Sequence, residues 1–291
     1  MRFYCDVHRK KDDSGYRITY TTDGEDFRHV DSPVEIPAGR GDQVFMDVLP
    51  IIHTDGFIEL LRRGVEVYYL RRLTLIKKTR EKLGIRSKSA RTDIRVLMAI
   101  DSSWFRKVDE DYLVMRGMIS SFRCVERVKR RLEKQLRASS PMEQESLRRL
   151  VNHAEVEKEV LAELISEEAE KRYPVFKEIS EELGITGDSH ILAREALAEL
   201  LTYVDFSKSF RSIRGYLGLY RERSNNKRYS RGVRGVLVRL TMSVIGRNNP
   251  KAREQEEVLK RIWLMFRRET QGPADIPAQQ QGYNSKRAGM S

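Results

Sequence analysis

The sequence predicts a mixed fold: an α/β domain first, an α-helical coiled-coil hairpin next, and a mainly α-helical, basic C-terminal third. Three observations predict it. Short apolar or alternating segments crowd into the first 70 residues, charged segments with helical periodicity run from about 108 to 183, and positive charge gathers beyond residue 200.

The N-terminal elements come in a clear order. Arg2–Val7 is short and apolar, Tyr16–Thr22 alternates, and Gln43–Val48 and Val65–Leu70 are β-branched or aromatic runs, so all four read as strands. Between the last two, Thr54–Arg63 carries Phe57, Leu60 and Leu61 at helical spacing and is closed by Gly64. Strand, helix and strand in that order predict a right-handed βαβ crossover and a parallel sheet segment. Leu73–Leu83 reads as a helix ended by Gly84, and another begins near Ser87–Ser89 and runs through Ile100.

In the middle, Leu113, Met115, Met118, Ile119, Phe122, Val125, Val128 and Leu132 recur at helical spacing, then Ser139-Ser140-Pro141 breaks the run. A second run carries Leu147, Leu150, Val151, Val156, Val160, Leu161 and Leu164, which predicts an antiparallel coiled coil with a largely solvated charged face. Beyond Pro174 and the Gly184–Asp188 turn, Ile191–Tyr203, Val236–Ile245 and Glu254–Phe266 read as helices, and Arg214–Gly235 as a Gly-, Arg- and Ser-rich segment. The domains expected are 1–105, 106–183 and 184–270, followed by a disordered tail, 271–291, rich in Gln, Pro and Gly.

Composition narrows the function classes. No apolar run reaches the length of a membrane span, and the N-terminus lacks the apolar core of a signal peptide, so a cytoplasmic, nucleoid-associated protein is expected. Cys5 and Cys124 match no metal-ligand spacing and read as reduced, buried thiols rather than a disulfide. The net charge is +12, and residues 201–270 hold 17 Lys and Arg against 6 Asp and Glu while residues 1–200 are neutral. Charge so concentrated is the footprint of a phosphate-binding surface, with a solvated basic face as the plainer alternative.

Two acids stand inside apolar strands, Asp6 beside Tyr4, Cys5 and Val7, and Asp47 in Phe45-Met46-Asp47-Val48. An unpaired acid in such a setting is costly. Together with an acid on a following helix, two such carboxylates on neighbouring strands could bind divalent ions that act on a phosphodiester. An all-oxygen ligand set favours magnesium or manganese. Each Asp taken alone is as well explained by a turn or a salt bridge.

Residues 83–97, Leu-Gly-Ile-Arg-Ser-Lys-Ser-Ala-Arg-Thr-Asp-Ile-Arg-Val-Leu, resemble the Lys-Thr-Asp-x-x-Asp-Ala signature of the IS-one-ten family of DEDD-class insertion-sequence transposases, relatives of the Piv-type recombinases. Asp6 in Cys5-Asp6-Val7-His8-Arg9-Lys10 resembles the family's opening strand, and Asp47 falls where the family usually has Glu. The resemblance implies a RuvC-like (RNase H-like) N-terminal domain whose metal ligands and catalytic acids are Asp6, Asp47 and Asp93. Ala90 stands where the pattern has its first helix aspartate, through natural loss or an introduced change. In an alternative register Arg91-Thr92-Asp93 is the Lys-Thr-Asp, and Val96 replaces the second acid. Either way one carboxylate is missing.

Residues 206–239 resemble the same family's transposase domain through Phe206–Arg211, Tyr216-Leu217-Gly218-Leu219 and Ser230–Arg234. The resemblance implies a serine nucleophile, with Ser224 the candidate and Ser230 the substitute. Arg211, Arg214, Arg221, Arg223, Lys227, Arg228, Arg231 and Arg234 supply phosphate-binding donors. Tyr216, Tyr220 and Tyr229 could stack on bases or pack locally.

By activity, the resemblance implies a transposase or recombinase that cleaves and exchanges DNA strands. It also implies a structured guide RNA as partner and a homodimer or homotetramer with composite sites. Two other readings stay open: a domesticated nucleic-acid-binding protein of the same fold, favoured by Ala90, and a RuvC-like junction nuclease without transposition.

Overall fold

The computed structural model describes residues 1–10, 15–219 and 229–271. The expected tail therefore lies, from residue 272 onward, outside the described residues. The chain divides into two compact units, Met1–Ser120 and Ser121–Ser291. Among the described residues no helix is long and apolar enough to cross a membrane.

The first unit is mixed α/β. Its strands are β1 (Arg2–Arg9), β2 (Tyr16–Thr21), β3 (Arg28–Val30), β4 (Gln43–Met46), β5 (Glu66–Leu70) and β6 (Phe105–Lys107). They form one sheet in the order β3-β2-β1-β4-β5-β6. Strand β1 is antiparallel to β2 and parallel to β4, β4 is parallel to β5, and β5 is antiparallel to β6. The parallel pair β4–β5 is joined through α1 (Thr54–Arg62), as the strand–helix–strand pattern predicts. The three-residue strands β3 and β6 are too short to show a period in sequence.

Alternation along β1 buries Phe3 and Cys5 on one face and sends Tyr4, Asp6 and His8 to the other. On that second face, three aromatic rings from parallel strands form a row. Tyr4 stacks on Phe45 with centroids 5.2 Å apart, and Phe45 on Tyr68 at 4.8 Å. Helices α2 (Thr74–Lys82) and α3 (Ala90–Met98) cover this face, with Leu75, Ile76 and Leu97 packed around Phe45, Leu70, Ile100 and Phe105.

Helix α3 starts where a capping box fixes it. Thr92 N–H donates to Ser89 Oγ at 3.2 Å, and Ser89 N–H to Thr92 Oγ1 at 2.9 Å. Its outward side carries Arg91 and Arg95, both over the Phe27 ring at 5.5 Å.

Helix α4 (Glu110–Ala138) begins in the first unit and ends in the second, which continues with α5 (Pro141–Arg172), α6 (Phe176–Leu183), α7 (Ile191–Tyr203), α8 (Phe210–Tyr216), α9 (Arg231–Ile245) and α10 (Ala252–Gln271). Ser140 and Pro141 start α5 as expected, with Ser140 and Glu143 in a capping box. Lys129 of α4 pairs with Glu155 of α5, and Cys124 of α4, expected to be buried, is exposed, unlike Cys5 in the sheet.

The hairpin differs from the sequence expectation in its seam. Val128, Leu150, Val156, Val160 and Leu164, expected to be core, are exposed, whereas Ala154, Ala162, Ile165, Ser166 and Ala169 are buried. The reason is that α5 packs against α7, so small residues take the close contact and the larger aliphatic side chains face outward. Likewise α9 begins at Arg231 rather than Val236. Val233, Val236, Leu237 and Leu240 bury one face of that helix in a unit where it packs on α7, and this outweighs Gly232 and Gly235.

Helix α7 is buried nearly all round, including two carboxylates, Glu195 and Glu199. Arg239 of α9 donates to Glu195 Oε2 at 2.8 Å and to Glu199 Oε2 at 3.0 Å, while Arg123 of α4 also pairs with Glu199. Burial pushes Glu195 above its ordinary range, and the Arg239 guanidinium pulls it back.

Candidate metal centre and basic surface

Register brings the strand acids together. Tyr4 of β1 is paired with Phe45 of β4, and the ring stack places both on one face. Two residues further along each strand stand Asp6 and Asp47, so they are neighbours on that same face. Asp47 lies one residue beyond β4 rather than inside a longer Gln43–Val48 strand, and its Oδ1 accepts Val48 N–H at 2.7 Å. Asp93 comes from α3, one turn before Leu97, which packs on the face carrying Tyr4 and Phe45. The sheet order also changes direction here, since β1 continues to β2 and β3 on one side while β4 and β5 lie on the other. Crevices at such a switch point, beyond the strand ends, are where open α/β sheets bind ligands.

Electrostatics agree with that geometry. Burial comes first, and the nearby Asp47 and Asp93 charges follow, in raising Asp6 to about 7, with Lys88 acting the other way. Asp47 is raised too, by burial and by Asp93, against the Val48 N–H bond. Among the described residues no N–H or O–H donates to the Asp6 carboxyl, whose side chain is 13% exposed. Its polar neighbour is His8, with Nδ1 3.6 Å from Oδ2. His8 Nδ1 is itself buried without a hydrogen-bond partner, and burial, His29 and Arg17 lower its pKa.

The Asp6 lone pairs, without donors and beside two acids whose charges repel it, suit a hard cation by donor chemistry. Among the described residues, however, no three His, Cys, Asp or Glu side chains already close around one point. Asp93 is instead held by Arg80 of α2, a partner that no spacing in the sequence singles out. Ala90 occupies the first position of α3, one turn before Asp93.

In the second unit, Arg211 and Arg231 are exposed, on α8 and at the start of α9. Arg214 and Arg234 use donors inside the fold. Arg214 Nη2 donates to Leu219 O at 3.2 Å and its Nε lies 3.1 Å from Glu256, while Arg234 Nη1 donates to Leu217 O at 2.9 Å. Ser230 precedes α9, and its N–H donates to Tyr216 O at 3.0 Å.

The Tyr229 ring lies on Gly218, whose φ is +70° and where an added Cβ would come within 2.5 Å of the ring. Tyr216 and Tyr229 are both exposed on their outer sides. Tyr220, Arg221, Arg223, Ser224, Lys227 and Arg228 lie outside the described residues. A scan against protein-family models and a search of curated proteins found no match to this chain.

Proposed function

We propose that this chain is a metal-dependent DNA transposase or recombinase with a RuvC-like N-terminal domain, of the IS-one-ten kind. The observation that carries the reading is the side-by-side placement of Asp6 and Asp47 with Asp93 on the covering helix, and the rise of Asp6 to about 7 among them. An acid on the first strand, an acid after a neighbouring parallel strand and an acid on a helix over both is the arrangement the resemblance implies.

Asp6, Asp47 and Asp93 would hold magnesium or manganese, which supplies charge stabilisation and an activated oxygen at a phosphodiester. The chain's own contributions are the carboxylates, whose mutual repulsion a bound cation would relieve, and His8, whose Nδ1 lies 3.6 Å from Asp6 Oδ2 and would take a proton there. In the second unit Arg211 and Arg231 would hold phosphates, and Ser224, with Ser230 as substitute, would supply the hydroxyl that attacks phosphorus. Arg221, Arg223, Lys227 and Arg228 extend that basic set in sequence.

The same reading names the partners: DNA at the nucleoid, a structured guide RNA, and a second copy of the chain. The exposed Val156, Val160 and Leu164, one ridge along α5, support self-association.

The test is strand cleavage and joining by the Ala90→Asp protein with element-end DNA, RNA and magnesium. Products that need magnesium and vanish in Asp6→Asn are expected. Absence of products, or products indifferent to Asp6, would end the enzyme reading. The second reading, a nucleic-acid-binding protein that has lost its metal chemistry, is favoured by Ala90. It requires that no manganese site appear even after Ala90→Asp.

A further inference from the structure

Arg80 sits at the end of the α2 face whose earlier members, Leu75 and Ile76, pack into the core under the sheet. Its guanidinium donates through Nη2 to Asp93 Oδ1, and both side chains are about four-fifths enclosed, at 21% and 20% exposure. Arg80 Nε is buried with no hydrogen-bond partner. So the group is anchored by Asp93 at one end and left unsatisfied at the other. A guanidinium cannot shed its charge to escape a neighbouring cation. An oxygen of Asp93 that holds Arg80 is also an oxygen withheld from an ion.

We infer that Arg80 is a latch on the carboxylate site: it takes the place of a cation at Asp93 in the ion-free protein and leaves that carboxylate when a divalent ion binds. The inference rests on the metal-site reading of Asp6, Asp47 and Asp93. It makes Arg80 a positioning residue rather than a catalytic one. The latch neutralises one of three crowded acids without ion, which keeps the site assembled. It also lowers the site's affinity, because the ion must displace a positive charge.

Manganese titration followed by electron paramagnetic resonance tests this on the full-length protein without nucleic acid. Arg80→Gln, which removes the charge, is expected to bind manganese roughly tenfold more tightly than the unmodified protein. Arg80→Lys, which keeps the charge, is expected to stay close to the unmodified affinity. A second measurement needs no folded variant: in the unmodified protein the Arg80 Nε–H nuclear resonance should shift on magnesium titration.

Equal or weaker manganese binding by Arg80→Gln, or an Arg80 resonance that magnesium leaves in place while the protein binds the ion, overturns the latch and spares the metal site. Failure of the unmodified, Arg80→Gln and Ala90→Asp proteins alike to bind manganese overturns the metal-site reading, and the latch falls with it.

Discussion

Arg239 reaches across from α9 to a carboxylate with no solvent exposure, donating through Nη2 to Glu199 Oε2 at 3.0 Å. The same guanidinium holds Glu195, so one cation ties two turns of α7 to α9, and it also lies 5.7 Å from the Phe122 ring of α4. Removing one member of a buried ion network strands the others. Arg239→Met is expected to lower stability by about 3 kcal/mol or more, read as a fall in melting temperature. Glu195→Gln, which keeps an acceptor, should cost much less. Equal effects of the two changes would show that the charges do not govern this contact.

Asp6 sets a pH dependence. Its folded pKa, about 7, lies above the ordinary carboxylate value. Below that ordinary value both states carry the proton, and stability does not change on this account. Between it and about 7 the folded protein keeps a proton that the unfolded chain has released, so stability falls as pH rises. The loss should be on the order of 2–4 kcal/mol between about pH 4 and about pH 8 without divalent ions. Melting curves across that range check it, and Asp6→Asn should flatten this contribution.

Gly218 is required for two separate reasons, a positive φ and the ring of Tyr229 against it. Gly218→Ala is expected to cost about 1 kcal/mol from the backbone alone and more from the clash. Adding Tyr229→Ala should recover the steric part, so a double-mutant cycle on melting temperature would be non-additive. Additive losses would place the ring elsewhere in solution.

The arginines of the second unit divide by what they already hold. Arg211→Ala and Arg231→Ala should weaken DNA binding at every sequence tested, each reducing the salt-dependence slope by about 1, with melting unchanged. Arg214→Ala and Arg234→Ala remove bonds to Leu219 O and Leu217 O and should lower the melting temperature. Fluorescence anisotropy at several salt concentrations, run beside thermal melts, separates the two pairs.

The outer ridge of α5 makes a prediction about assembly. Val160→Lys with Leu164→Lys should shift the protein toward monomer in sedimentation velocity, leaving helix content unchanged, because both positions are exposed in the single chain. An unaltered sedimentation profile would assign the ridge no part in self-association.

Much of the first unit was legible because its signals are local. Asp6 in an apolar strand, the Gly64 and Ser89 helix boundaries and the parallel β4–β5 pair all arise from short-range patterns. The neighbourhood of Asp6 and Asp47 needed only the right strand pairing. Arg80 was not legible, because its partner lies on another helix and its own segment reads as an ordinary basic amphipathic turn. The α5 seam misled for a related cause. Helical spacing identifies apolar positions, but α5 carries two such faces, and only the packing against α7 decides that the alanine face goes inward. At α9, two glycines and clustered arginines resemble a loop until Val233 and Val236 find a surface to cover.

The capping of α3 has a consequence for how this protein can change over time. Ser89 and Thr92 define where the helix starts without help from the residue between Ser89 and Arg91. The first helical position tolerates alanine, and an acid there is welcomed by the helix dipole. Exchanging Ala90 for aspartate, or the reverse, therefore leaves the architecture untouched while adding or deleting one negative charge a turn away from Asp93. A lineage could change the charge beside Asp93 at this single codon without passing through a misfolded ancestor.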